Sequence, residues 1–163
     1  MRIDRRKLIA AAAKTIPALA LAATPVGALA AGNPADVVNL YTKDGKVSIQ
    51  LRPDLAPKHV AQIETLVKRK FYDGIVFHRV IDGFMAQTGD PTGTGTGKSD
   101  LPNIPAEFSK AHFGRGTVGM ARSQMPDSAN SQFFICFGDA GFLDGQYTVV
   151  GEVISGMDVV DKI

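Results

Sequence analysis

FYDGIVFHRVIDGFMAQTGD, residues 71–90, carries the reading of the fold. Asp82-Gly83 is a strong turn signal, and apolar, β-branched and aromatic residues flank it on both sides. Residues 75–81 and 84–88 therefore read as two strands around that turn, with His78 in mid-strand. Side-chain alternation then sets Arg79 on the face opposite His78. Working outward, Asp44-Gly45 separates strand-like runs at 37–41 and 46–51. Residues 117–122, 131–137 and 148–154 are further strands. Pro57 suits the first turn of a helix, and Val60, Ile63, Leu66 and Val67 give it one apolar face out to about Lys70. Residues 89–107 form a Gly-, Thr- and Pro-rich loop. Ser155 reads as the N-cap of a last short helix. Many short strands and few helices predict a mainly β barrel or sandwich capped by helices.

Charge separates the N-terminus from the rest. The chain has 163 residues and a net charge of +2, with 18 basic and 16 acidic residues. Residues 1–30 hold five of the basic residues and one of the acidic, so residues 31–163 carry −2. The basic start, the alanine-rich apolar stretch and the small-x-small run Ala28-Leu29-Ala30-Ala31 predict an export leader cut after Ala30. Arg5-Arg6 resembles a twin-arginine signal. The expected organisation is leader 1–30, linker 31–36 and one domain at 37–163, located in the periplasm. The acidic balance of the domain removes the case for a nucleic-acid partner. Cys136 is the sole cysteine, so no disulfide framework exists, and its apolar neighbours predict a buried, inert thiol.

Several familiar chemistries do not fit. The loop Gly93-Thr94-Gly95-Thr96-Gly97-Lys98-Ser99 looks like a phosphate loop, but Thr92 stands where the first glycine belongs, and prolines follow in place of a helix. Its expected use is close backbone approach or a sharp crossing. The serines lack a nucleophile elbow. His59, His78 and His112 are scattered, and His78 is expected in a structural hydrogen-bond network. What stands out is a mixture: Arg79 and Gln87 near Phe84 and Met85, and Gln132 on one face with Phe134. An arginine and two glutamines among aromatics are costly to bury unpartnered, so a concave apolar site with convergent donors is expected.

FYDGIVFHRVIDGFMAQTGD at 71–90, GTVGMAR at 116–122, NSQFFIC at 130–136 and FLDGQYTVVGEVISGMDVVDKI at 142–163 occur in order. Together they resemble the cyclophilins, the cyclosporin-binding family of peptidyl-prolyl cis-trans isomerases. The resemblance spans residues 37–163. It implies a closed antiparallel eight-stranded β-barrel capped by two helices, with a substrate groove on its surface. It also implies a catalytic Arg79 with Phe84 and Gln87 beside it. Met85, Ala121, Arg122, Gln132, Phe134, Phe142, Leu143 and Tyr147 become substrate-binding residues. The family often has Asn where this chain has Arg122. Many eukaryotic members have Trp and His at the positions of Phe142 and Tyr147, which predicts weaker cyclosporin binding here.

The implied activity is rotation of X–Pro bonds in proline-containing peptides and unfolded clients, by a monomer that needs no cofactor or metal. The membrane would be met only through the leader during export. A non-catalytic proline-peptide-binding module or chaperone is the alternative. The resemblance also implies a final strand beyond Ile163, which would leave the edge at 37–41 unpaired.

Overall fold

The computed structural model describes residues 9–11 and 32–163. Apart from residues 9–11, the expected leader and its cut after Ala30 lie outside the described residues. The strands are β1 (Ile9–Ala11), β2 (Val37–Thr42), β3 (Gly45–Leu51), β4 (Arg79–Ile81), β5 (Met85–Thr88), β6 (Thr117–Met120), β7 (Phe133–Cys136) and β8 (Val149–Ser155). Two helices, α1 (Pro57–Lys68) and α2 (Met157–Val160), join them.

All strand pairs are antiparallel, in one sheet of order β1-β2-β3-β8-β6-β7-β5-β4. The closed barrel expected from the resemblance is not what is seen. Seven strands of residues 37–163 form a curled sheet whose end strand β4 pairs only with β5. The edge expected to be bare at 37–41 is covered over residues 39–41: β1 pairs with β2, Ile9 opposite Tyr41 and Ala11 opposite Asn39.

The local reasons follow the sequence, with three corrections. First, residues 75–78 are not strand, so β4 is three residues long and His78 precedes it. Gly83 makes the following turn at φ 70°, a conformation that costs glycine little. Second, α1 stops at Lys68. Lys70 adopts φ 58°, which lets the Phe71 N–H reach the Leu66 carbonyl at 3.0 Å and turns the chain away. Third, the cap of α2 is Gly156, not Ser155. Gly156 sits at φ 94° against the Lys46–Val47 backbone, where any side chain would collide.

Val60, Ile63, Leu66 and Val67 of α1 pack with Leu40, Val47, Ile49, Tyr72, Phe133 and Val150 in the main core. A second cluster, Met85, Phe113, Phe134, Cys136, Ala140, Leu143 and Val149, underlies the functional face. The two rings on β7 divide as alternation requires. Phe133 meets Tyr72 edge-on at 5.6 Å, and Phe134 belongs to the second cluster. No described helix is long and apolar enough to cross a membrane.

Candidate active site

The β4–β5 hairpin places Arg79 directly opposite Gln87, and the β5–β7 ladder places Gln87 opposite Phe134. One sheet face therefore carries a cation, an amide and an aromatic ring in a row. Arg79 is exposed, and its guanidinium donates to Gln87 Oε1 at 3.3 Å. Gln87 Nε2 donates to Gln132 Oε1 at 2.8 Å. Gln132 Nε2 in turn donates to the carbonyls of Gly95 and Gly97 at 3.0 and 2.8 Å. A relay of amides thus runs from the guanidinium to the glycine loop.

That loop is tied from beneath by Asp90, whose carboxylate is buried. It accepts the N–H groups of Thr92 (2.7 Å), Thr94 (3.1 Å) and Gly95 (2.5 Å), and the Thr92 hydroxyl (2.7 Å). Burial pushes the Asp90 pKa up, but these hydrogen bonds outweigh it and hold the group at about 2. A side chain at Gly97 would run into Asp90 and Thr92. The loop is therefore a close backbone wrap around a carboxylate, and its bonds use N–H groups that a phosphate loop would turn toward a ligand.

The floor is apolar. Phe134 stacks on Phe113 with ring centres 5.9 Å apart and meets Tyr147 edge-on at 6.0 Å. Glycine at 119 is required by this stack, since a Cβ there would lie 2.5 Å from the Phe134 ring and 2.6 Å from the Phe113 ring. A 3-10 turn at Gly141–Leu143 brings Phe142 and Leu143 to the far wall. Leu143 is buried, while Phe142 is 66% exposed and packs on Phe84 at 5.3 Å. His112 Nδ1 and the Phe113 N–H bond Asp144 at 2.7 Å each, which fastens this turn. The pair raises the His112 pKa and lowers that of Asp144.

The result is a groove of about 530 Å³. Arg79, Phe84, Met85, Gln87, Ala121, Arg122, Phe134, Phe142, Leu143 and Tyr147, all named from the sequence as candidate site residues, line it. Gln132 instead lines an adjoining cavity of about 360 Å³. His78, Thr94 and Gly95 line the groove and were not foreseen as site residues. Alternation misplaced His78 because residue 78 lies outside the regular pleat. Among the described residues neither of its ring nitrogens has a hydrogen-bond partner, contrary to the expected network. Burial lowers its pKa against the opposing pull of Asp90. Cys136 is buried, and burial pushes its thiol up to about 12, so it is inert. Among the described residues no three His, Cys, Asp or Glu side chains group to hold a metal.

Comparison with known proteins fits this geometry. The family model "Cyclophilin type peptidyl-prolyl cis-trans isomerase/CLD" matches residues 37–163. A probable peptidyl-prolyl cis-trans isomerase of Brucella suis is 58% identical over 162 residues, covering 91% of this chain and 83% of that protein. Peptidyl-prolyl cis-trans isomerase-like 3 of Rattus norvegicus is 42% identical over 130 residues, covering 77% and 80%. The crystal structure of a Cryptosporidium parvum cyclophilin type isomerase superposes with TM-score 0.74 at 29% identity, over 78% of this chain and 82% of that one. A second structure of it, in the presence of the dipeptide Ala-Pro, gives 0.74 at 30% identity, over 77% and 83%. With this sheet, this groove and these relatives, the chain belongs to the cyclophilin-type peptidyl-prolyl cis-trans isomerases.

Proposed function

We propose that X–Pro bonds turn over in the 530 Å³ groove, with Arg79 as the catalytic donor. The observation that carries this reading is a guanidinium at the rim of an apolar floor, with Gln87 as its one side-chain hydrogen-bond partner among the described residues. Rotation of a peptide bond meets a barrier of about 18–20 kcal/mol from amide resonance. X–Pro bonds cross it unaided in tens to hundreds of seconds. Twisting removes the resonance and leaves the nitrogen a better acceptor. No bond breaks and no proton needs to move, so a nucleophile and base are unnecessary.

Met85, Phe134 and Leu143 supply a buried apolar seat for the proline ring, and Phe84 and Tyr147 flank it. Arg79, permanently charged and carrying five N–H donors, donates to the twisted nitrogen or its neighbouring carbonyl. Acceleration comes from that bond being stronger in the twisted state than in the planar one. Gln87 holds the guanidinium from the side. Ala121 and Arg122 lie where the backbone of an extended peptide would run. Arg79→Ala is expected to lower kcat/KM for an X–Pro peptide by at least about tenfold while the melting temperature stays put. Full activity in that folded variant overturns the assignment of Arg79. Retained peptide binding with no turnover in the parent chain would favour a binding module.

The place of action we propose is the bacterial envelope, after export and removal of residues 1–30, with unfolded envelope proteins as clients. The basic start and apolar stretch of the leader support this reading. Cell fractionation with N-terminal sequencing tests it: a periplasmic product starting at Ala31 is expected, and an uncut cytoplasmic chain overturns it.

A further inference from the structure

The groove and the adjoining 360 Å³ cavity share Gln87, Gly95, Ala121 and Arg122, so one extended peptide can occupy both. Among the described residues no Asp or Glu lines either space; the charged residues lining them are Arg79, Lys98 and Arg122. This inverts the balance of residues 31–163, which carry fifteen acidic and thirteen basic side chains. Asp90, beneath the glycine loop, is buried and engaged by N–H groups.

Arg122 is fixed rather than waving in solvent. Its guanidinium bonds the carbonyl of Gln146 at 2.7 Å and that of Ser123 at 2.9 Å. It lies over the Tyr147 ring at 4.5 Å. A cation already ordered by its own protein loses little freedom when it meets an anion. Lys98 stands on the other wall of the second cavity, held loosely by Asn103 at 3.3 Å. Lys98 and Arg122 are the cations of a cavity that Thr96, Ser123 and Ser128 also line.

We propose that this isomerase selects clients with an acidic side chain close to the proline, received in the second cavity between Lys98 and Arg122. The proposal rests on the groove being the X–Pro site. The test uses the full chain and matched peptides in which one residue near the proline, on either side, is Glu or Gln. Isomerisation is followed by NMR exchange. At about 20 mM salt the best-placed Glu peptide should exceed its Gln twin in kcat/KM by about three- to tenfold, and the gap should close at about 0.5 M salt. Lys98→Gln, an exposed loop change, should shrink the Glu/Gln ratio, and Arg122→Gln should shrink it further. Turnover of both peptides with a ratio of one at low salt, at every position, overturns the acidic preference and leaves the isomerase site intact. Absence of turnover for every peptide would instead overturn the groove as the X–Pro site.

Discussion

Asp90 shows how a single residue can shape one wall of the site without facing it. Its carboxylate gathers three backbone N–H groups and a hydroxyl of the glycine loop, and the loop's carbonyls then hold Gln132. Asp90→Asn keeps the shape but loses the charge, and is expected to cost about 1–3 kcal/mol and to raise KM more than it lowers kcat. Because the folded carboxyl titrates near 2 rather than 3.8, its contribution is complete above pH about 4 and fades as pH falls toward 2. Acid melts of the parent and the variant measure this: the two curves should converge at the acid end. The relay could not be read from sequence. The run Asp90-Pro91-Thr92-Gly93 signals a turn, but which N–H groups a carboxylate collects depends on how the loop closes. Arg79, Phe84 and Met85 were legible because they lie within one short hairpin, where register fixes neighbours.

At the scale of elements, α1 begins without a cap of its own. Ala56 offers no side-chain acceptor, and Glu107 supplies one by accepting the N–H groups of Lys58 and His59, 49 and 48 positions earlier, at 3.1 and 3.0 Å. The same carboxylate accepts from His59 Nδ1 at 2.5 Å. Burial lowers the pKa of His59, against the pull of Glu107, so the ring is neutral at pH 7 and carries its proton on Nδ1. Burial also works against ionisation of Glu107, but the hydrogen bonds from His59 and Lys58 more than offset it. Both folded pKa values lie below the ordinary ones. The stabilisation is thus complete above pH about 6.5 and is lost in steps as pH drops, first for the histidine and then for the acid. Glu107→Ala should cost about 1–2 kcal/mol and lower the melting temperature by several degrees at pH 7, with a smaller effect at pH 4. Pro57 and the apolar stripe marked this helix in the sequence. Its cap is a long-range contact and left no local sign. The strands came out shorter at β4, β6 and β7 for a related reason: before β4, Ile75 and Phe77 pack into the core outside the strand, and pattern alone does not separate the two.

For the molecule as a whole, the curled sheet has two ends with different fates. At one end β4 carries Arg79 to the groove rim. At the other, β2 is paired on its outer side by β1, three residues from the stretch read as a leader. Cutting after Ala30 would take that strand away and leave the outward-facing N–H and C=O groups of β2 unmatched along an open edge. Purified 31–163 is therefore expected to associate with rising concentration in sedimentation velocity, while the full chain stays dispersed at the same concentrations. Equal behaviour of the two would show that the edge protects itself. The segment read from sequence as a leader also supplies the strand that covers this edge. The isomerase would leave its carrier with a free edge able to take up an extended strand, at a site separate from the groove where proline turns.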